Sequence, residues 1–180
     1  MMKNLPALHS VPVSMDNLDI IRNIWKTNFP KEAKEETPFF DDKDIFECSI
    51  NNLGDLNAKY FIVYENDTPV GQWGLYTTTL EQNETAWLGW FSVLPKFRRL
   101  GYGSHILTFF ETMARAEGFK FIRLYTSKDN IPAQECYKKF GFVLEDFIGT
   151  TNMETEPLVI GSKSISDTPV QPWGNKPMEL

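Results

Sequence analysis

The sequence predicts an α/β protein of the α+β kind, built on a mixed, mostly antiparallel central sheet with helices on both faces. Three observations predict it. The chain has 180 residues, 42% hydrophobic and 23% charged, which suits one folded domain with a substantial core. Its middle, from Tyr60 to Val93, is rich in aromatic and β-branched residues separated by polar turns, which marks strands. After Pro95 helical spacing of 3.6 alternates with further strand-like runs, completing the order strand, helix, strand, helix, strand.

Leu8 to Val13 is a short first strand. Ser14 then precedes a polar opening, Met15-Asp16-Asn17-Leu18-Asp19, of the kind that caps a helix and places carboxylates at its positive end. Leu18, Ile21, Ile24 and Trp25 follow at helical spacing, so an amphipathic helix runs to about Phe29-Pro30. Lys31 to Pro38 is charged and loop-like. Asp42 to Leu53 predicts a second helix, with Ile45, Phe46 and Ile50 on one side and Gly54 as its stop.

Tyr60 to Tyr64 is aromatic and β-branched, Glu65-Asn66-Asp67-Thr68 is a turn, and Val70 to Thr79 is strand-like, which together make a hairpin. The polar turn Glu81-Gln82-Asn83-Glu84 leads to a strand over Ala86–Val93. Ile106, Phe110 and Met113 form one stripe of a helix from about Gly103 to Glu117, closed by Gly118. Phe119 to Thr126 is strand, Pro132 to Phe140 a short helix ending at Gly141, and Phe142 to Phe147 a further strand. Leu158 to Ser164 is the best antiparallel partner for that last strand. A helix joining two strands implies a crossover, so Ala86–Val93 and Phe119–Thr126 are expected to be parallel neighbours. Residues 1–165 form the expected single domain, and 166–180 an irregular tail packed by Trp173.

Composition narrows the function. A net charge of −6 argues against nucleic acid as the main partner, because phosphates would be repelled overall. The two cysteines, Cys48 and Cys136, and the two histidines, His9 and His105, form no metal-ligand spacing, so no metal is expected. Two reduced thiols suit the cytosol. No apolar run fits a signal peptide or the roughly 20 residues of a membrane span. The expectation is a soluble cytoplasmic protein with no membrane partner.

The stretch Val93-Leu94-Pro95-Lys96-Phe97-Arg98-Arg99-Leu100-Gly101-Tyr102-Gly103-Ser104-His105 carries the chemistry. A strand enters a turn with Gly101 and Gly103, and a helix starts there. Glycine lets backbone N–H groups approach a ligand closely. A helix N-terminus adds unbonded N–H donors and partial positive charge, which together cradle a pyrophosphate. Lys96, Arg98 and Arg99 add cations in an otherwise acidic chain. Alone, the pattern also fits a tight turn with solvated basic residues. It lacks the Gly-Lys-Ser/Thr ending of a P-loop and the third glycine of a dinucleotide fingerprint.

A second constellation follows one strand later: Asn130, Ala133, Tyr137, then Phe140-Gly141-Phe142. Asn130 can cap the short helix, with Pro132 tolerated in its first turn. Ala133 and Tyr137 are one turn apart and share a face. Tyr137 can also be read as an amphipathic rim residue and Gly141 as a plain C-cap.

Together and in this order, the two segments resemble the GNAT superfamily of N-acetyltransferases. The first signature, Arg/Gln-x-x-Gly-x-Gly/Ala, is met by Arg98, Gly101 and Gly103, after Val93 and Pro95. The second, Asn-x-x-Ala-x-x-x-Tyr-x-x-x-Gly-Phe, is met by Asn130, Ala133, Tyr137, Gly141 and Phe142. The resemblance covers roughly residues 70–147.

The resemblance implies an enzyme that moves an acetyl group from acetyl-coenzyme A to a small-molecule or peptide amine. It implies that Arg98, Arg99, Leu100, Gly101, Tyr102, Gly103 and Ser104 hold the pyrophosphate. Backbone groups of Phe91, Ser92 and Val93 would meet the pantetheine arm, lying as a pseudo-strand where two strands splay, and polarise the thioester. Asn130 and Ala133 would contact the coenzyme, and Tyr137 would protonate the departing thiolate as general acid. Some members carry a glutamate base six residues ahead of the valine, where this chain has Trp87. Glu84, and less so Glu81, are then the base candidates, though both also fit as exposed turn charges.

Trp73, Trp87, Trp90, Phe91 and Tyr125 make the centre aromatic, and strand alternation puts Trp87 and Trp90 on opposite faces. Phe39, Phe40, Asp41, Asp42 and Asp44 are candidates for an acceptor wall that attracts a cationic amine. A non-catalytic acyl-coenzyme A sensor on the same fold, and an unrelated phosphate-binding domain, are the competing readings. A homodimer is compatible with any of them.

Overall fold

A computed structural model describes residues 7–31, 58–78, 80–81, 84–147 and 157–174. The expected second helix over Asp42–Leu53, with Cys48 and the candidate wall residues Phe39, Phe40, Asp41, Asp42 and Asp44, lies outside the described residues. In chain order the elements are β1 (Leu8–Pro12), α1 (Leu18–Asn28), β2 (Lys59–Glu65), β3 (Thr68–Tyr76), β4 (Thr85–Val93), α2 (Tyr102–Ala116), β5 (Phe121–Ser127), α3 (Ile131–Lys139), β6 (Val143–Phe147) and β7 (Leu158–Ser164). The seven strands hydrogen-bond in the order β1-β2-β3-β4-β5-β7-β6. No helix among the described residues is long and apolar enough to cross a membrane.

The chain divides into two compact units. The first takes in β1, α1, β2, β3, the Gly89–Val93 end of β4 and the chain through Phe109. One 3-10 turn over Met15–Asn17 leads into α1, and the Asn17 amide ties it down, accepting from Ser14 N–H at 2.8 Å and donating to Pro12 O at 2.9 Å. Leu18, Ile21, Ile24 and Trp25, the predicted stripe, are buried with Ile62 of β2. The predicted hairpin is present: β2 and β3 pair antiparallel from Lys59↔Leu75 to Glu65↔Thr68. Its turn is tighter than expected, and Asn66 takes a left-handed φ of 52°, a conformation asparagine tolerates better than most residues.

The second unit holds Thr85–Leu88 of β4, the latter part of α2, β5, α3, β6 and β7. β4 pairs parallel with β5 over Thr85–Trp87 and Phe121–Arg123, the arrangement expected of a crossover. β7 does more than pair with β6. It lies between β5 and β6 and pairs antiparallel with both. Gly161 permits this, since a Cβ there would stand 2.9 Å from both Leu124 and Leu144 side chains.

The described part of the tail, through residue 174, is anchored at Trp173 as expected. Trp173 is buried and meets Trp87 edge-on, with ring centroids 5.2 Å apart. The N–H groups of Trp173 and Gly174 donate to the two Glu145 carboxylate oxygens at 2.8 and 2.9 Å.

Candidate functional site

The first predicted site segment begins where β4 ends. Trp90 sits at a left-handed φ of 46°, which breaks the strand's alternation. The Gln72 amide donates to the Trp90 carbonyl at 3.0 Å, and the Trp90 ring packs on Trp25 and Phe29 at 5.0 and 5.1 Å. Trp90 therefore marks a local kink in β4, with a buried glutamine on its carbonyl and an aromatic cluster on its ring. Such strained backbone persists only where its surroundings over-determine it.

Past Val93 the chain is led outward by stepwise hydrogen bonds. Leu94 N–H donates to Val70 O at 2.8 Å, Phe97 N–H to Leu94 O at 2.9 Å and Arg98 N–H to Pro95 O at 3.2 Å. Arg99 then adopts φ 64° and Gly101 φ 96°, and α2 starts at Tyr102. Left-handed residues in close succession curl the main chain so that neighbouring N–H groups converge. The first N–H groups of a helix have no intrahelical partner, and the first turn of α2 carries no acidic residue. This combination suits a phosphate anion.

The side chains of the same segment mostly hold it in place. Arg98 donates from Nε to Val93 O at 2.9 Å and from Nη2 to Asn28 Oδ1 at 2.7 Å. Asn28 in turn donates from Nδ2 to Ser92 Oγ at 3.0 Å. Tyr102 is buried and its hydroxyl donates to Glu65 at 2.5 Å. That hydrogen bond, with burial and the carboxylate charge behind it, raises the Tyr102 phenol above its usual range. Lys96 sits over the Phe97 ring at 4.7 Å, while Arg99, Leu100 and Ser104 are exposed.

The second segment is built locally. Asn130 Oδ1 accepts from Ala133 N–H at 3.4 Å, and its Nδ2 donates to Thr126 at 3.2 Å, so it caps α3 as expected. Gly141 takes φ 96°, and Phe142 N–H returns to Tyr137 O at 3.0 Å, the glycine-mediated helix stop. Tyr137 is 5% exposed and packs edge-on to Phe142 at 6.0 Å. Burial, with a smaller contribution from Cys136, pushes its phenol well above the usual value. Burial thus reinforces the protonated form that a phenol already has at neutral pH.

The carboxylates considered as bases are both in ion pairs. Glu81 grips Arg123 with both oxygens, at 2.9 and 3.1 Å. Arg123 is 2% exposed and is further held by Ser162 and by Gln171 O at 2.9 Å. Removing one partner of such a buried pair strands the other charge, so Glu81 is a structural counter-ion. Glu84 pairs with Lys120 at 2.7 Å, both side chains about half exposed. Trp87, at the glutamate position of some acetyltransferases, is fully buried against Trp173.

Sequence reasoning missed Asn28, Gln72 and Glu65. Their partners lie 70, 18 and 37 residues away, and no local pattern marks such pairs. Among the described residues no group of His, Cys, Asp and Glu is placed to hold a metal ion.

Residues 18–142 match the sequence profile of the acetyltransferase (GNAT) family. Over 80 residues the chain is 38% identical to probable N-acetyltransferase 14 of Xenopus tropicalis, a match taking in 44% of this chain and 38% of that protein. The fold is similar to that of a spermidine N-acetyltransferase from Vibrio cholerae solved with coenzyme A and spermine. The TM-score is 0.67 at 15% identity, covering 87% of this chain and 95% of that one. It is also similar to an acetyltransferase from Streptococcus agalactiae, with TM-score 0.66 at 21% identity over 91% of this chain and 100% of that one.

Proposed function

Because the chain belongs to the acetyltransferase (GNAT) family, we propose that it transfers the acetyl group of acetyl-coenzyme A to a primary amine of a small molecule or peptide, by direct attack in a ternary complex. The observation that carries this reading is the turn between β4 and α2. Its left-handed positions at Arg99 and Gly101 and the acid-free start of α2 support a place for a pyrophosphate there. Acetyl-coenzyme A supplies the activated acyl group, so the protein's task is alignment and charge stabilisation.

In this proposal Arg98 to Ser104 hold the pyrophosphate, chiefly through main-chain N–H groups, with Arg99 adding charge. The side chain of Arg98, turned to Val93 and Asn28, fixes the turn instead of reaching for the anion. Backbone groups of Phe91, Ser92 and Val93 orient the pantetheine arm, and an N–H aimed at the thioester oxygen supplies the main electrostatic stabilisation. Asn130 and Ala133 shape the coenzyme contact at the start of α3. Tyr137 donates its proton to the departing thiolate. An alkyl amine has a pKa of roughly 10, so its attack requires loss of a proton. Glu84 is the weak candidate for that role, and its exposed pairing with Lys120 would make it an indirect participant, through water.

The solved relative from Vibrio cholerae is a spermidine N-acetyltransferase, and a ribosomal-protein alanine N-acetyltransferase from Escherichia coli shares the fold at TM-score 0.63. The acceptor panel therefore contains both polyamines and peptides with free N-termini. The cytoplasmic setting and the single domain over residues 1–165 belong to the same proposal. The test is thermal shift with acetyl-coenzyme A, followed by thiol release against that panel. Stabilisation with amine-dependent thiol release is the expected result. Stabilisation with no turnover on any amine would point to a sensor, and no stabilisation at all would remove the reading.

A further inference from the structure

We propose that Asn28, the last residue of α1, is a positioning residue for the cofactor turn, acting through Arg98; this rests on the acetyltransferase reading above. Asn28 uses both ends of its amide at once. Oδ1 accepts from Arg98 Nη2 at 2.7 Å, and Nδ2 donates to Ser92 Oγ at 3.0 Å. Arg98 has its other donor, Nε, on Val93 O at 2.9 Å. A planar guanidinium held at two of its corners has one orientation left. The result is a closed set of ties linking the end of α1, the last two residues of β4 and the first residue of the turn.

Several facts make Asn28 the control point of this set. Among the described residues it is the side chain that bonds both Arg98 and Ser92. It also stands at the C-terminal end of a helix, whose partial negative charge favours the Arg98 cation. The next residue along from Arg98 is Arg99 at φ 64°, a left-handed conformation that survives only if its neighbours are fixed. With Asn28 gone, Arg98 is held at one point, and the turn samples conformations in which its N–H groups no longer converge. Binding of a pyrophosphate then includes the free energy of re-forming the turn. Chemistry at the thioester is untouched, so the defect should fall on cofactor binding.

The experiment measures acetyl-coenzyme A Kd by calorimetry, with KM and kcat, for wild type, Asn28→Ala, Asn28→Asp, Arg98→Ala and the Asn28→Ala/Arg98→Ala pair. Asn28→Ala should raise Kd and the acetyl-coenzyme A KM about 5–10-fold, leaving kcat and the acceptor KM within about twofold. Asn28→Asp keeps an oxygen towards Arg98 and should recover to within about threefold of wild type. If Asn28 acts through Arg98, the double variant should be no more than about twofold weaker than Arg98→Ala alone. A folded Asn28→Ala protein with unchanged Kd, full additivity in the double variant, or failure of Asn28→Asp to recover binding would overturn the inference. Wild type that does not bind coenzyme A would instead remove the acetyltransferase reading, and this inference with it.

Discussion

The turn before α2 and the segment around α3 carry the two signatures, and they are held together by opposite means. In the turn, side chains face back into the protein: Arg98 to Val93 and Asn28, Tyr102 to Glu65. Their work is to present the main chain. Around α3 the ties are short-range, from Asn130 to Ala133 and Thr126 and from Phe142 back to Tyr137. There the ties stay within the segment, and Tyr137 is buried beside Phe142. The difference teaches that two signatures of one chain can be kept for different structural reasons. In one, distant side chains fix the shape of a turn; in the other, a local cap and a glycine stop fix a short helix.

Breaking the turn should have the largest effect. Gly101 has φ 96°, so Gly101→Glu combines a Cβ in a left-handed conformation with a negative charge in the anion cradle. Acetyl-coenzyme A binding, followed by calorimetry, should fall below detection, while Gly101→Ala should weaken it with no charge added. Unchanged affinity in a folded Gly101→Glu protein would defeat the claim that the turn is the phosphate site.

Tyr137→Phe tests the other half. It keeps the ring against Phe142 and removes the hydroxyl alone. Coenzyme binding should hardly change, while kcat at saturating acetyl-coenzyme A falls on the order of 10²–10⁴-fold for a lost general acid. A kcat within about twofold of wild type would end the proton-donor assignment.

The same variant has a readout in stability. The Tyr137 phenol is raised in the folded state, so above about pH 10 the unfolded chain has lost this proton while the folded chain retains it. Stability is therefore fully present below pH 10 and declines as pH rises beyond it, by about 1.4 kcal/mol per pH unit for one proton. Tyr102, also raised, adds to the decline. Urea unfolding between pH 9 and 11 should show a shallower decline for Tyr137→Phe than for wild type.

Smaller effects sharpen the contrast. Asn130→Ala removes the α3 cap and should cost about 1 kcal/mol of stability, read as a lower thermal midpoint, with a modest change in coenzyme affinity. Glu84→Gln breaks only a half-exposed pair with Lys120. Stability should shift by less than about 1 kcal/mol, and any fall in kcat that depends on pH would assign Glu84 to proton removal.

Much of this was legible in the residues. Periodicity placed the hairpin, the parallel crossover pair and three of the helices to within a few residues, because burial of one face is a local demand on spacing. The signature glycines were legible for a similar reason: Gly101 and Gly141 sit at positive φ, a requirement of the backbone at one position. Boundaries moved where hydrogen bonding decided them, as when the strand expected over Phe119–Thr126 became Phe121–Ser127.

By itself, then, the sequence determined what depends on neighbours along the chain: element type, turn chemistry, the cap at Asn130 and the order of the two signatures. Only the tertiary structure decided what depends on neighbours in space. It seated β7 between β5 and β6 through Gly161, spent Glu81 on the buried Arg123, and turned Arg98 inward onto Asn28. It also kinked β4 at Trp90, against Gln72. The first is a matter of steric room between two strands, and the other three are set by a donor or a charge finding a partner far along the chain, since a buried polar group must take whichever partner the packed chain brings to it.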